Sequence, residues 1–255
     1  MLNRLKQHRF LFEELVKRDF SKKYKRTILG MGWSIASPLI NLLIMWAIFR
    51  KILGSNIEHY TIYLFSGQIV FSFFSDATNM GMTSLVNNAH IFSKVNVPKY
   101  LFLLSQNVSS LINFILTLLI YFLFVIIDGV PLGLHFLMLI YPIVGLVIFN
   151  LGISLILSAL FLFFRDMQYL WSLASQLIMW LSAIFYTVDS FSEKFRMIFW
   201  CNPLYVFITY FRTIVLQGTV PSLSVHLLLL AYASIAFGIG AWMYKHYNTE
   251  FLYYV

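Results

Sequence analysis

Charge is scarce in this sequence. Asp, Glu, Lys and Arg make up only 11% of its 255 residues, where a water-soluble domain carries about 25%. So few charges cannot cover a soluble globule of this length. Soluble enzymes and nucleic-acid-binding domains are thereby excluded, and the 60% hydrophobic content excludes a disordered chain. Cysteine is nearly absent. Cys201 stands alone, leaving no internal disulfide and no multi-thiolate metal site. No G-x-x-x-x-G-K-[ST] occurs, so no P-loop can hold ATP in this chain. No G-x-S-x-G or H-E-x-x-H occurs either, and His59, His90, His135 and His226 lack i,i+4 partners. We therefore expect no catalytic residue, no metal ligand and no cofactor in this chain.

Long apolar runs are what the sequence has instead, with a mean hydropathy of +0.79. A helix needs about 20 apolar residues to cross about 30 Å of hydrocarbon. Runs of that kind predict spans at 27–49, 61–84, 100–127, 136–163, 167–188 and 224–244. The run 197–211 contains Asn202-Pro203 and at about 1.5 Å per residue reaches only about 22 Å. It reads as a re-entrant hairpin within an outer segment at 189–217. The expected fold is an all-α integral membrane protein of six transmembrane helices, preceded by an interfacial arm at 1–26.

The charges that do occur are concentrated. Nine of the 18 Lys and Arg residues lie in 1–26, and with Glu13, Glu14 and Asp19 they hold +6 of the net +8. A basic block beside an apolar span predicts a cytoplasmic, phospholipid-facing anchor rather than a nucleic-acid site. With both termini cytoplasmic, thirteen Lys and Arg fall inside and five outside, which is the favoured orientation. The polar first 26 residues predict insertion through the first span rather than through a cleavable leader.

Residues 5–20 follow a helical period. Leu5, Leu11, Phe12, Leu15, Val16 and Phe20 share one half of the wheel, predicting a helix lying apolar face down in the interface. Arg18, Lys22, Lys23, Lys25 and Arg26 would then sit at the headgroups. Such an arm serves as a topology anchor or as a contact for a cytoplasmic partner. Glu13, Glu14 and Arg18 also fit the E-E-x-x-x-R pattern of intramembrane prenyl-protein proteases, but on the polar face of a charged arm. Asp76 is the one acid placed well inside a span. It reads either as a coupling group or as an acid satisfied by Ser72, Ser75, Thr78 or Asn79. The aromatic share is 18%. Trp33, Trp171, Trp200 and Trp242 fall near span ends, as in an interfacial belt, whereas Trp180 falls near mid-span.

The order of several short motifs resembles the permease subunits of type-2 ABC exporters for lipid-linked polysaccharide, a family that includes O-antigen, teichoic-acid and capsule exporters. The residues are Arg18-Asp19-Phe20, Lys23-Tyr24-Lys25, Leu29-Gly30, Trp33 and Pro38-Leu39. They continue with Asn88, Ile91-Phe92, Lys94 and Pro98-Lys99, then Phe164-Arg165-Asp166, Asn202-Pro203-Leu204 and Phe211-Arg212. Where the family usually has Pro-Ile or Pro-Val before a Tyr, this chain has Ala183-Ile184-Phe185-Tyr186.

The resemblance implies a homodimer in the bacterial cytoplasmic membrane, working with two copies of a P-loop ABC ATPase that binds ATP and Mg. The turn at 86–99 would be a coupling helix docking into that ATPase through Asn88, Ile91, Phe92, Lys94 and Pro98. The cargo would be a lipid-linked glycan moving through a path at the homodimer interface. Aromatic side chains give a polar glycan a low-specificity sliding surface, and Trp46 and Phe49 on span one and Trp180, Phe185 and Tyr186 on span five are the candidates. The alternative within this reading is a type-2 ABC permease for a drug or a lipid.

Overall fold

The computed structural model describes residues 8–24, 27–53, 58–95, 97–247 and 250–252. Among them the regular structure is entirely helical. The arm is α1 (Arg9–Tyr24). Helix α2 (Trp33–Leu53) rises from the arm end of the bundle and α3 (Tyr60–Met82) returns to it. Two one-turn helices, α4 (Ser84–Asn87) and α5 (Ala89–Phe92), cross that end. Helices α6 (Tyr100–Ile127), α7 (Ile140–Phe163) and α8 (Met167–Leu181) then alternate in direction. At the far end α9 (Glu193–Trp200) and α10 (Pro203–Gln217) meet at 100°. Helix α11 (Leu223–His246) brings the chain back to the arm end.

Three helical segments are long and apolar enough to cross a bilayer alone: Tyr100–Ile127, Leu134–Phe163 and Leu223–His246. Helix α8 departs from the expected span at 167–188. It stops at Leu181, where Ser182 leaves the helix and Ala183 takes a φ of 48°. No proline or glycine marks this break in the sequence.

Helix α3 is the centre of the main core. Along it Phe65 meets Phe124 edge-on at 5.0 Å, Phe73 stacks on Phe114 at 4.6 Å, and Phe74 stacks on Phe149 at 6.0 Å. Such rings contribute directional packing that an aliphatic core lacks. Helices α7 and α11 approach until backbone meets backbone. A Cβ on Gly152 would lie 2.4 Å from the Ala236 carbonyl carbon, and one on Gly240 would lie 2.6 Å from the Gly152 oxygen. Close approach through small residues is how helices pack where lipid supplies no hydrophobic drive between them.

A second core closes the arm end. Leu15 of α1, Leu85 and Phe92 of the turn, Leu101 and Phe102 of α6, Leu155 and Leu162 of α7, Tyr244 of α11 and Phe251 are all buried together. This changes the expected setting of the arm. The face carrying Leu11, Phe12 and Leu15 is seated on protein rather than turned down into lipid. Asp19 on that face is buried too, accepting a hydrogen bond from Ser105 Oγ at 2.8 Å and pairing with Arg18 at 2.6 Å.

Candidate functional site

At the arm end, α4 and α5 form a tight double turn. Asn88, between them, is buried, and its side-chain amide donates to the Ser84 carbonyl at 2.8 Å. Phe92 is buried as well, while Ile91 and Pro98 are half-buried. Of the five residues expected to dock on a partner, only Lys94 is exposed. Asn88 and Phe92 shape the turn from inside, and its free edge is Asn87, His90, Ser93, Lys94 and Val95. The Lys99 ammonium lies over the rings of Phe92 (5.9 Å) and Phe251 (5.5 Å), tying the base of the turn to the end of the chain. Burial pulls that ammonium below its ordinary pKa.

On the arm, Glu13 pairs with Arg9 at 2.7 Å and Glu14 with Lys17 at 2.8 Å. Both acids are occupied by ordinary i,i±3/4 surface pairs, and the described residues contain no cluster of three or more His, Cys, Asp or Glu able to hold a metal. The E-E-x-x-x-R match is therefore not built into a catalytic site. Arg18 and Lys22 are exposed. Lys25 and Arg26 lie outside the described residues, as does the Lys23 side chain.

The aromatic candidates separate. Trp180, Phe185 and Tyr186 cluster at the far end, with the Trp180 and Phe185 rings 5.6 Å apart and the Tyr186 hydroxyl donating to the Trp180 carbonyl at 2.6 Å. Because α8 ends early, Trp180 stands in its last turn and not at mid-span. It is half exposed, whereas Phe185 is a buried core residue and lines no path within the protomer. Trp46 packs partly buried against the core from α2, and the Phe49 side chain lies outside the described residues. Trp171 turns inward, 5.8 Å from the Phe74 ring, instead of joining a belt.

What holds the far end together is Arg212, buried on α10. A helix that stops inside a bundle leaves its last carbonyls without partners. Here the broken end of α8 is completed by side chains. The Ser182 hydroxyl donates to the Ile178 carbonyl at 2.6 Å. Arg212 Nη1 donates to Ala183 O at 2.9 Å, and Nη2 donates to Ile184 O and Tyr63 O, each at 3.0 Å. Tyr60 OH donates to Phe185 O and Tyr63 OH to Tyr186 O. The guanidinium lies 3.4 Å from the centre of the Tyr63 ring. Among the described residues its partners are carbonyls, one hydroxyl and this ring, with no carboxylate. The arrangement places a cation at the negative end of a helix, and Gly67 leaves it room, since a Cβ there would come within 3.0 Å of Nη2.

Asn202-Pro203-Leu204 acquires a physical meaning at the same place. Asn202 caps α10 by accepting from Leu204 N at 3.1 Å, and its amide donates to Ser182 Oγ at 2.9 Å. Pro203 takes the first helical position, where no amide hydrogen is needed. Asn202→Ala is expected to destabilise the protein by about 1 kcal/mol, measured as a shift in unfolding of the detergent-purified protein. Asn202→Asp, which keeps the capping oxygen, should lose less.

A cleft of about 590 Å³ with many polar lining residues lies between α2, α3 and α6. Helix α2 contributes Ser34, Ser37 and Asn41, α3 contributes Gln68, Ser72, Ser75, Asp76 and Asn79, and α6 contributes Ser110, Asn113 and Thr117. Thr27 and Trp33 line it at the arm end. Gln68 lies about 21 Å from the end of α3 at about 1.5 Å per residue, so the polar wall penetrates well into the apolar bundle. Sequence reasoning singled out only Asp76 and its own neighbours. The missed signal is periodic: 34/37/41, 68/72/75/79 and 110/113/117 each repeat at helical spacing, so each helix carries one polar stripe.

The sequence profile of a family described as ABC-2 type transporter matches residues 11–216. O-antigen export system permease protein RfbA of Klebsiella pneumoniae is 33% identical over 214 residues, covering 82% of each chain. A protein of the same description from Myxococcus xanthus is 22% identical over 255 residues, 98% of this chain and 97% of its own. Polysialic acid transport protein KpsM of Escherichia coli is 24% identical over 237 residues, 91% of this chain and 92% of its own. With its apolar helices, its absent P-loop and a profile match over most of its length, the chain belongs to the ABC-2 type transporter family.

Proposed function

We propose that this chain is the transmembrane subunit of an ATP-driven exporter that moves a lipid-linked polysaccharide across the cytoplasmic membrane. The observation that carries the reading is the double turn at the arm end. Its base is buried in the second core, and its exposed edge, from Asn87 to Val95, presents one cation and several hydrogen-bonding groups beyond the helix ends. That is the form a docking element for a separate ATPase requires, and the cargo class follows the names of the relatives. ATP and Mg belong to that partner. Closure of two ATPases around ATP would shift the turn and, through the arm and α6 seated on it, tilt the bundle between two states.

In this reading the arm end is cytoplasmic, six passes cross the membrane, and α9 and α10 form a re-entrant hairpin opening outward. Two copies pair to make the path. The exposed apolar face of α8, with Tyr169, Leu173, Leu177 and Trp180, supports such pairing. The drug or lipid alternative has no observation in its favour.

Two experiments test this. Deleting the gene should remove glycan from the cell surface, and plasmid-borne wild-type chain should restore it; surface glycan left intact by the deletion would refute the function. Lys94→Glu, on the exposed edge, should leave the chain in the membrane but reduce co-purification of an ATPase at least tenfold. Undiminished co-purification would remove the turn from the docking surface.

A further inference from the structure

We infer that the cleft between α2, α3 and α6 is a binding site, within one protomer, for uncharged sugar units of the cargo chain. The inference rests on the exporter reading above and adds to it a location and a selectivity.

Polar side chains at membrane depth are costly unless partnered or facing water or a ligand. Here they are both partnered and facing the cleft. Asn79 donates to the Ser75 carbonyl at 2.7 Å, Thr117 to the Asn113 carbonyl at 2.9 Å, and Gln68 to Ser72 Oγ at 3.2 Å. Each bond runs along its own helix and uses one valence. Gln68 Oε1 is buried with no hydrogen-bond partner and is left for a guest. Twelve of the nineteen residues lining the cleft are polar, and the rest include Trp33 and Phe71.

That mixture selects a chemistry. Amides and hydroxyls match a polyol, whose hydroxyls donate and accept at once. Aromatic rings match the C–H faces of pyranoses. The volume falls within the range of about 300–1,000 Å³ usual for small-molecule sites. An acyl chain would strand the polar wall without partners. An anion is disfavoured for a different reason: among the described residues Asp76 lines the cleft and no Lys, Arg or His does. The charged linkage between glycan and lipid carrier must then travel elsewhere, and acidic sugars should be admitted poorly.

The lining runs from Thr27 and Trp33 at the arm end to Gln68 and Thr117 deeper in the bundle. The cleft would take sugars as they arrive and pass them on to the path between protomers.

The test uses a Cys201→Ser background, in which Ser72→Cys is a small change at an exposed position. Export of the cell's own glycan by the unlabelled variant sets the baseline. Labelling of the assembled complex with a bulky methanethiosulfonate should then cut export at least tenfold, and glycan stalled by ATPase inactivation should slow the labelling at least threefold. The control is Ile115→Cys, on the exposed face of α6, where labelling should change nothing. Export that survives full labelling of Ser72→Cys, or labelling unaffected by stalled glycan, overturns the inference and leaves the exporter reading standing. If the wild-type chain itself fails to restore surface glycan, the exporter reading falls first. Asp76→Asn gives the selectivity arm: it should raise the ratio of acidic to neutral glycan exported at least threefold, and an unchanged ratio would contradict the exclusion of acidic sugars by the carboxylate.

Discussion

Arg212→Leu is expected to destabilise the protein by about 2–5 kcal/mol, the cost of leaving buried carbonyls without their charged donor. The loss is large because the side chain cannot be replaced by water or by a neighbour. Removing it strips the Ala183 and Ile184 carbonyls of their donor in the buried stretch between α8 and α10. Each orphaned carbonyl costs about 1–3 kcal/mol. Leucine also leaves the Tyr63 ring without its cation. Arg212→Lys keeps the charge but not the planar fork that reaches several carbonyls at once, so it should recover about half the loss. Thermal unfolding of the detergent-purified protein, followed by loss of the monodisperse chromatographic peak, measures both. A Leu variant as stable as wild type would mean that the break after α8 is held by Tyr60 and Tyr63 alone.

Gly152→Val should be comparably damaging for a steric reason. Overpacking a core costs about 1–3 kcal/mol when side chains can give way. Here the first added atom would meet backbone, at 2.4 Å from Ala236 C and Phe237 N, and no rotamer relieves it. Helices α7 and α11 must separate, which also withdraws Tyr244 from Ser158, now 2.7 Å apart. The expected loss is about 3 kcal/mol or more, at or beyond the upper end of that range. Gly238→Ala on α11 is the control. A Cβ there meets nothing, and alanine should be neutral or stabilise by up to about 1 kcal/mol. Unfolding midpoints of the two variants should move in opposite directions or differ by several degrees. Equal midpoints would mean the α7–α11 contact is looser than its backbone distances imply.

Most of the helical plan was legible in the sequence because lipid imposes a simple length rule. Uninterrupted apolar runs located α6 at 100–127 to the residue, and α3, α7 and α11 to within four residues at either end. The end of α8 was not legible. Nothing local stops a helix at Leu181; the stop comes from Arg212, Asn202, Tyr60 and Tyr63, all distant in the chain. Phe185, a path candidate by resemblance, is buried in the core beside this break. Asn88 was chosen as a docking residue because of its motif, yet its amide bonds backward to Ser84 and points into the fold. The polar cleft was legible in principle. Each stripe follows helical spacing, but serines and asparagines on three separate helices show their purpose only when the helices are brought side by side, and the single carboxylate drew attention from the uncharged majority.

The most direct test of the account is transport by purified components. The chain and its co-purified ATPase, reconstituted in liposomes containing the lipid-linked glycan, should move glycan from one leaflet to the other only when ATP and Mg are supplied. Translocation should cease with an ATPase-inactive partner. Glycan that crosses without ATP, or that stays in place while the complex hydrolyses ATP and moves a drug or a lipid instead, would contradict it.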